Sequence, residues 1–541
     1  MRLPWIYYNL NLTLPLHKKY AKNIFYYTIS ICYAYNTESF GINHILYFGK
    51  VHNPVNGASK DVKDINKKSD SIPHGIVSKT PSDNAVSGAV TLFVVSAVQF
   101  LTPFMLSAVG VALPAIGREF SASAVQLGLV ETVYIFAFSL FLLPAGRLGD
   151  IYGRKRIFTM GILVFTAGTV LISLAFTIES FIVFRFFQGC GGAMISGTSV
   201  AILSSVFPPA KRGQAMGIIV ACVYLGLSLG PVLSGFMVTH LGWRWIFYLG
   251  VLVELFCLCL TVLKLKGEWA DARGERFDFM GTLLYIVSLF CLIYGTLNQK
   301  EGGIYLVLMA FGALGFLIFL AFEYRRSSPI LDVGLVFRNR VFAFSNLATL
   351  INYAASFGIA FFFSLYLQVV RGYSPQRAGW ILIIQPVFQT VLSPFFGRLA
   401  DRVSPAGLAT AGMALCTLSL GLVSRVHAGT PMPVIMGMLA LMGVGFGLFS
   451  SPNTTTVMGS VPPKNYGIAS SFLATMRTMG MLCSMTIITL VFKHIMGDHP
   501  VNAETQSFFL ASMQLCMTIF CFLCVAGVFC SMVRLKSSEK P

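Results

Sequence analysis

The chain has 541 residues, of which 55% are hydrophobic and only 11% are charged, and its mean hydropathy is +0.74. A water-soluble domain of this composition lacks the polar residues to cover its surface, so we predict a polytopic membrane protein. The formal net charge of +18 does not indicate nucleic-acid binding, because basic residues in short loops between apolar runs are explained by membrane topology.

Residues 1–88 differ in composition from the rest of the chain. They are rich in Asn, Lys, Tyr, Ser and Asp and contain no run long enough to cross a membrane. We predict a disordered cytoplasmic tail; the alternative is that the assigned start of the gene is too early and the true start lies further in. All cysteines except Cys32 lie in apolar runs without metal-site spacing, so they are predicted to be packing residues, and neither metal nor cofactor is expected.

From Val90 onward, apolar runs follow one another with short polar breaks. Each is about 20 residues long, which is the length that crosses ~30 Å of hydrocarbon at 1.5 Å per residue. The pattern predicts an all-α protein with fourteen spans, near residues 89–112, 123–145, 157–177, 180–204, 214–236, 244–264, 279–298, 303–322, 341–368, 378–397, 406–424, 432–456, 466–492 and 507–533.

The distribution of basic residues predicts the orientation. With the N-terminus in the cytoplasm, the cytoplasmic loops and C-terminus hold 20 Lys and Arg, and the outer loops hold 7. Cytoplasmic loops are enriched in Lys and Arg, so we predict a plasma-membrane protein with both termini cytoplasmic.

The stretch Gly146–Arg156 reads Gly-Arg-Leu-Gly-Asp-Ile-Tyr-Gly-Arg-Lys-Arg. A loop this short joins antiparallel helices at one membrane face, and its basic residues mark that face as cytoplasmic. Asp150 is placed to accept hydrogen bonds or a basic partner from a neighbouring helix. We therefore predict a cytoplasmic gate, formed by Gly146, Asp150, Gly153, Arg154 and Arg156, with Asp401 from a weaker copy of the stretch that begins at Gly397.

This stretch resembles the signature Gly-x-x-x-Asp-x-x-Gly-Arg-(Arg/Lys)-(Arg/Lys), which follows the second helix of major facilitator superfamily transporters. The weaker copy implies a duplicated six-helix unit. Fourteen spans arranged as six, two and six resemble the drug:proton antiporter branch of that superfamily. The resemblance implies a six-helix bundle over 89–264, two linker helices with flanking cytoplasmic segments over 265–340, a second bundle over 341–535 and a cytoplasmic tail over 536–541.

The fifth span carries a frame of small residues. Such residues let another helix approach closely, and a proline within the helix permits a bend. The frame resembles the antiporter signature of exporters in this superfamily, with Ser234 where a glycine is usual, whereas the alternative is a generic packing face. The residues are Gly217, Gly226, Gly230, Pro231 and Gly235.

Four charged residues lie within predicted spans and cannot be assigned to the loops at their ends: Glu131, Arg185, Glu254 and Arg477. A charge at this depth is costly unless it faces a cavity or a partner, so these residues are functional candidates. Glu131 is the predicted proton carrier, because competition between a proton and a cationic substrate for one carboxylate gives antiport directly. The alternative role for Glu131 is a structural ion pair.

Arg185 opens a stretch that resembles the superfamily signature Arg-x-x-Gln-Gly, and it is expected to modulate Glu131 or to bind an anion. Glu254 is a further proton-coupling candidate, although it could instead face a neighbouring helix. The first helix departs from the drug exporters, which carry an acid where this chain has Met105 and an asparagine where it has Gly110. Glu131 would therefore couple protons alone or with Glu254.

Polar residues in the second half are predicted to line a substrate cavity. Gln385 and Gln389 lie one turn apart on one helix face, and Phe361 to Phe363 would add an adaptable apolar wall. Packing or lipid contact is the alternative. The predicted cavity residues are Asn352, Tyr353, Gln385, Gln389, Asn453 and Arg477.

Together these features predict a secondary active exporter of lipophilic or cationic compounds, working as a monomer by alternating access. Its expected partners are a small-molecule substrate, protons and the lipid bilayer, but no nucleic acid. No phosphate-binding loop for ATP occurs, which argues against a primary pump. The alternatives are an importer or uniporter of a polar metabolite and, less in keeping with the residues, a membrane-embedded enzyme or sensor.

Overall fold

The structure is a computed structural model that describes residues 81–298, 302–326, 331, 333–400, 402–462 and 466–538. Within these residues, 14 helices are long and apolar enough to cross a membrane. The prediction of an all-α protein with fourteen spans is confirmed. Asp401 and most of the predicted N-terminal tail, residues 1–80, lie outside the described residues, as do residues 539–541 of the predicted C-terminal tail.

The first eight spans are single helices. Side chains define two of their starts, because Ser123 and Thr177 each form a capping box with the residue three positions later. The second and third helices are separated only by Gly153, whose φ of +118° favours glycine. The helices are Pro81–Phe120, Ala124–Tyr152, Arg154–Ser173, Ile178–Val206, Pro209–His240, Arg244–Lys264, Phe279–Asn298 and Gly303–Tyr324.

The remaining spans follow a short helix, Val333–Arg338. The ninth span is Arg340–Ser356 and Gly358–Leu365, continued by a π-helical turn at Tyr366–Val370. The tenth is Pro375–Leu382 and Ile384–Ala400, whereas the last four are the continuous helices Pro405–Val423, Met432–Gly459, Tyr466–Ile495 and Gln506–Ser538.

Spans one to six pack mainly against one another, and spans nine to fourteen do the same. We call these groups the N-half and the C-half. Close helix packing in a membrane depends on small residues, because lipid removes the hydrophobic drive for association. Gly191 illustrates this on the fourth span, since a Cβ there would collide with the main chain of Phe165 on the third.

The halves are hydrogen-bonded at the end of the molecule opposite the Gly146–Arg156 loop. Ser364 Oγ donates to Gly110 O at 2.6 Å, and Gln368 Nε2 donates to Val111 O at 2.9 Å. The main-chain N–H of Ala124 also donates to the carbonyl of His499 at 3.1 Å. These bonds join the halves in the C-terminal third of the first span, near the end of the ninth and at the start of the second.

The seventh and eighth spans pair with each other, and the seventh lies beside the second and thirteenth spans. Tyr285 Oη on the seventh span donates to Ser139 O on the second at 2.9 Å, and Phe136 packs against Phe290. Lys493 Nζ, at the end of the thirteenth span, donates to Asn298 Oδ1 at 3.1 Å. One of the two extra helices therefore touches both halves.

Candidate functional site

Glu131 and Arg185 form an ion pair inside the N-half. Arg185 Nη2 donates to Glu131 Oε2 at 3.1 Å, and the two side chains are 0% and 5% exposed for Arg185 and Glu131. Arg185 Nε donates to Val130 O at 3.2 Å, and the guanidinium carbon lies 4.1 Å from the centre of the Tyr134 ring. Each charge thus has the partner that burial in a membrane requires.

Hydrogen bonds continue from this pair to Glu254. Arg185 Nη1 donates to Gln188 Oε1 at 2.7 Å, and Gln188 Nε2 donates to Thr169 Oγ1 at 2.9 Å. The Thr169 hydroxyl lies 3.1 Å from Glu254 Oε1 and 2.9 Å from the carbonyl of Phe165, so its single proton can be donated to either. We call Glu131, Arg185, Gln188, Thr169 and Glu254 the buried network.

The buried network brings together all three residues predicted to couple protons. It also links spans two, four, three and six. Gln188 had a sequence signal, as part of the stretch that resembles Arg-x-x-Gln-Gly. Thr169 carries no sequence signal of a role, because a single polar residue in an apolar run is common. Only the packing of the third span against the fourth and sixth shows where its hydroxyl points.

Met105, which stands where the resemblance expects an acid, lies next to the network. A Cβ added at Gly250 on the sixth span would collide with Met105 Cε and would lie 3.5 Å from Glu254 Oε1. A small cavity beside Glu254 is lined in part by Leu101 and Thr102 of the first span. A carboxylate is therefore present close to the first helix, although it is carried by the sixth.

The predicted gate residues Asp150 and Arg154 form an ion pair at 2.6 Å. Arg154 begins the third helix, and its Nη1 also donates to Ser205 Oγ on the fourth span at 2.6 Å and pairs with Asp271 at 2.8 Å. Gly146 packs against the main chain of Gly197 on the fourth span. This arrangement ties the ends of spans two, three and four together.

Residues 265–278, which enter the two extra helices, fold back over this loop. The N–H of Arg154 donates to Trp269 O at 2.8 Å, and the N–H of Ala272 donates to Asp150 O at 3.0 Å. We call residues 265–278 the clasp segment. The sequence does not predict its main-chain bonds to the loop, because a charged stretch between helices has no pattern that specifies a contact.

Acidic side chains of the clasp segment pair with the basic residues of the loop. Arg147 Nη2 lies 2.5 Å from Glu275 Oε2, and Arg156 Nε lies 3.7 Å from Glu268 Oε2. A Cβ at Gly153 would collide with Glu268. The positive φ of Gly153 favours glycine at this position, and a larger residue would also have to displace the Glu268 carboxylate.

We expect the double substitution Glu268→Gln and Glu275→Gln to loosen the clasp segment. Partly exposed ion pairs contribute about 0.2–1 kcal/mol each, so trypsin cleavage at Arg273 and Arg276 should accelerate roughly threefold to tenfold. Cleavage rates of the purified protein in detergent measure this. The exposed Glu504→Gln is the matched control, and equal rates for all three proteins would contradict the contact.

The fifth-span frame packs against two different helices. A Cβ at Gly226 would collide with the carbonyl of Phe100 on the first span, and one at Gly235 would lie 2.5 Å from the carbonyl of Pro375 on the tenth. Gly230 also faces the first span, and the carbonyl of Pro231 faces Gly379. Gly217 has no atom within 4 Å of the corresponding position, so packing does not require glycine there.

We therefore expect Gly226→Ala to destabilise the protein and Gly217→Ala to have no measurable effect. Overpacking a close helix contact costs about 1–3 kcal/mol, because the neighbouring main chain must move. The apparent melting temperature in detergent measures the difference. A Gly226→Ala protein as stable as Gly217→Ala would show that the two helices can separate without cost.

Two of the predicted cavity residues lie together in the C-half. Arg477 Nη2 donates to Thr454 Oγ1 at 3.0 Å, and its guanidinium carbon lies 6.0 Å from the ring centre of Tyr353. The Tyr353 ring meets Phe446 edge to face at 5.0 Å. Arg477 is half-buried, and no described acid lies within ion-pair distance of it.

The other predicted cavity residues are placed differently. Asn453 accepts from the buried Arg534 and donates to Thr349 Oγ1 at 2.7 Å, so its amide is used within the C-half. Asn352 is fully buried near Cys416. The main chains of Gln385 and Gln389 pack against the twelfth span at Gly443 and Gly447, with Gln389 buried and Gln385 half-buried.

Comparison with known proteins identifies relatives that match most of the chain. The Major Facilitator Superfamily model matches residues 95–485 and again 345–540. The Riboflavin transporter RibZ of Clostridioides difficile is 28% identical over 83% of this chain and 98% of its own length. The Multidrug resistance protein Stp of Mycobacterium tuberculosis is 33% identical over 70% of this chain and 71% of its own length.

Solved structures show the same fold. A POT family transporter crystallised with a thioalcohol-conjugated peptide superposes with a TM-score of 0.61 at 14% sequence identity. The match covers 83% of this chain and 96% of the other. At this identity the likeness concerns the fold alone.

Proposed function

The chain belongs to the Major Facilitator Superfamily, and on that premise we propose that it exports small lipophilic compounds in exchange for protons. It is a multi-pass membrane transporter rather than an enzyme. The multidrug-resistance relative supports export, and the fifth-span glycines that pack against the first and tenth spans fit the antiporter frame. We propose that it acts as a monomer.

We further propose the plasma-membrane orientation with both termini cytoplasmic, and the organisation into bundles 89–264 and 341–535 joined by the two linker helices. The bonds between Ser364 and Gly110 and between Gln368 and Val111 then lie at the outer side. With the outer ends joined, substrate would enter from the cytoplasm. This is the state in which an exporter takes up its substrate.

The buried network carries the proposal of proton coupling. Protonation of Glu131 would remove its charge attraction to Arg185, while Arg185 would keep its bonds to Val130 O and Gln188. An unpaired cation buried in the membrane is costly, so the two protonation states would favour different arrangements of spans two and four. Through Thr169, the change would reach Glu254.

The proposal is tested with purified protein reconstituted in inverted vesicles whose lumen has been acidified. An exporter that exchanges compound for protons releases protons when a lipophilic compound is added outside, and a pH-sensitive dye reports this release. Vesicles without protein are the control. If none of a panel of lipophilic compounds changes the rate of proton release, proton-coupled export is wrong.

Transport of a polar metabolite is the second candidate. It is favoured by the relative named as a riboflavin transporter, which this chain matches over 98% of that protein's length. A uniporter exchanges labelled riboflavin across vesicles that have no proton gradient. Riboflavin counterflow without any effect of a gradient would favour this candidate over the exporter.

A further inference from the structure

We infer that the side chains around Arg477 bind a planar aromatic compound that presents a carbonyl oxygen or an anionic group, and discriminate against cations. The inference deepens the proposed transport function by giving its substrate class, and it replaces the cationic substrates expected from the sequence with compounds that carry a carbonyl or an anionic group. It does not depend on whether the transport is coupled to protons.

The first observation is the incomplete pairing of Arg477. Its Nη2 donates to Thr454 Oγ1, whose own proton goes to Ser450 O at 2.8 Å. Its Nε is buried without a hydrogen-bond partner among the described residues. A guanidinium carries five N–H donors and no acceptor, so the group has bonds left to give to an acceptor atom.

The second observation is the place of this group between the halves. Tyr224 Oη on the fifth span lies 3.1 Å from Ser450 Oγ on the twelfth, a hydrogen bond that crosses from the N-half to the C-half. Ser450 and Thr454 are one turn apart and therefore share a face of the twelfth span. A compound bound by Arg477 would thus lie beside the junction whose geometry changes in alternating access.

The third observation is the pair of aromatic rings beside the charge. The ring of Tyr353 has its centre 6.0 Å from the guanidinium carbon of Arg477 and packs edge to face on Phe446, with the two ring centres 5.0 Å apart; both rings are buried. Tyr224, whose hydroxyl reaches Ser450 on the same face of the twelfth span as Thr454, comes from the opposite half. Aromatic faces and edges offer a flat ring favourable stacking geometry, while the guanidinium supplies the polar contact that fixes its orientation.

The last observation is the position of the two acidic residues predicted inside the membrane spans, Glu131 and Glu254. Glu131 is paired with Arg185, and Glu254 accepts from Thr169, both inside the N-half. Among the described residues, no carboxylate accompanies Arg477. A cation would therefore be repelled by the like charge of Arg477. An anion or a carbonyl would instead accept a hydrogen bond from a guanidinium N–H that has no other partner.

Binding of two dyes with the same xanthene ring system tests the inference. Fluorescein methyl ester is an anion at pH 7.5, and rhodamine 123 is a cation. Fluorescence anisotropy in detergent gives Kd for both without any gradient. We expect wild type to bind the anion more tightly, and Arg477→Gln to weaken anion binding by about tenfold or more, because a charge-assisted bond is lost.

Rhodamine 123 binding to Arg477→Gln should stay the same or become tighter. Arg477→Lys, which keeps the charge, should bind the anion within a few-fold of wild type, and it serves as the test if Arg477→Gln does not fold. Tighter binding of the cation by wild type, no binding of the anion, or equal losses of both dyes in Arg477→Gln would overturn the inference. Charge-selective binding without proton release would refute proton coupling but leave this site in place.

Discussion

In acidified inverted vesicles, Glu131→Gln is expected to reduce compound-driven proton release to the rate of vesicles without protein. Glutamine keeps an oxygen that can accept from Arg185 Nη2, so the contact at 3.1 Å between spans two and four can persist. The amide cannot take up a proton in this pH range, so the network loses its carrier while the fold remains. The Kd of the compound should stay within about twofold of the wild-type value, because the substitution removes no contact with the bound compound.

The matched control is Glu504→Gln, which makes the same chemical change in an exposed loop and should release protons as wild type does. Glu254→Gln distinguishes the two ends of the buried network. Loss of coupling in Glu254→Gln with normal coupling in Glu131→Gln would identify Glu254 as the carrier and Glu131 as a structural partner of Arg185. Normal coupling in both variants would place the proton site outside the network.

The membrane-spanning helices are predictable because each is specified by its own stretch of sequence. An apolar run of about 20 residues is sufficient to specify a membrane helix, whatever the helix packs against. The charge of Glu131 and Arg185 inside such runs was likewise visible, since a buried charge is rare enough to stand out. What the sequence left open was the pairing, because two residues 54 positions apart meet only when spans two and four pack together.

The clasp segment and Thr169 show why the rest was out of reach. The clasp segment contains acids and bases in a pattern typical of any charged loop, and its contacts depend on where the seventh span begins. Thr169 Oγ1 also lies 2.9 Å from the carbonyl of Phe165, which is the local partner that threonines in membrane helices commonly use. Only the placement of Gln188 and Glu254 around it makes it a link between charged groups.

Arg534 is a different case, because its position at the end of the last span suggests a side chain exposed to water. Basic residues there are typical of cytoplasmic anchors whose long side chains reach water. The structure instead buries it completely. It donates to Ser345 Oγ at 3.0 Å, to Ser531 Oγ at 2.7 Å and to the amide oxygen of Asn453.

We expect Arg534→Ala to lower the apparent melting temperature in detergent by about 5 °C or more, because hydrogen bonds to a charged group contribute about 1.5–3 kcal/mol each. The loss would leave the Asn453 oxygen without its donor and would remove the side-chain bonds from the fourteenth span to the ninth and twelfth, whereas the bond from Asn453 to Thr349 would remain. Arg425→Ala, which removes an exposed arginine, is the matched control and should melt as wild type does. Arg534→Lys should fall between them, since an ammonium cannot reach three partners in the planar geometry of a guanidinium. If Arg534→Ala and Arg425→Ala melt together, the buried bonds of Arg534 are offset by the cost of removing its charge from water, and the C-half is held by packing of its small residues instead.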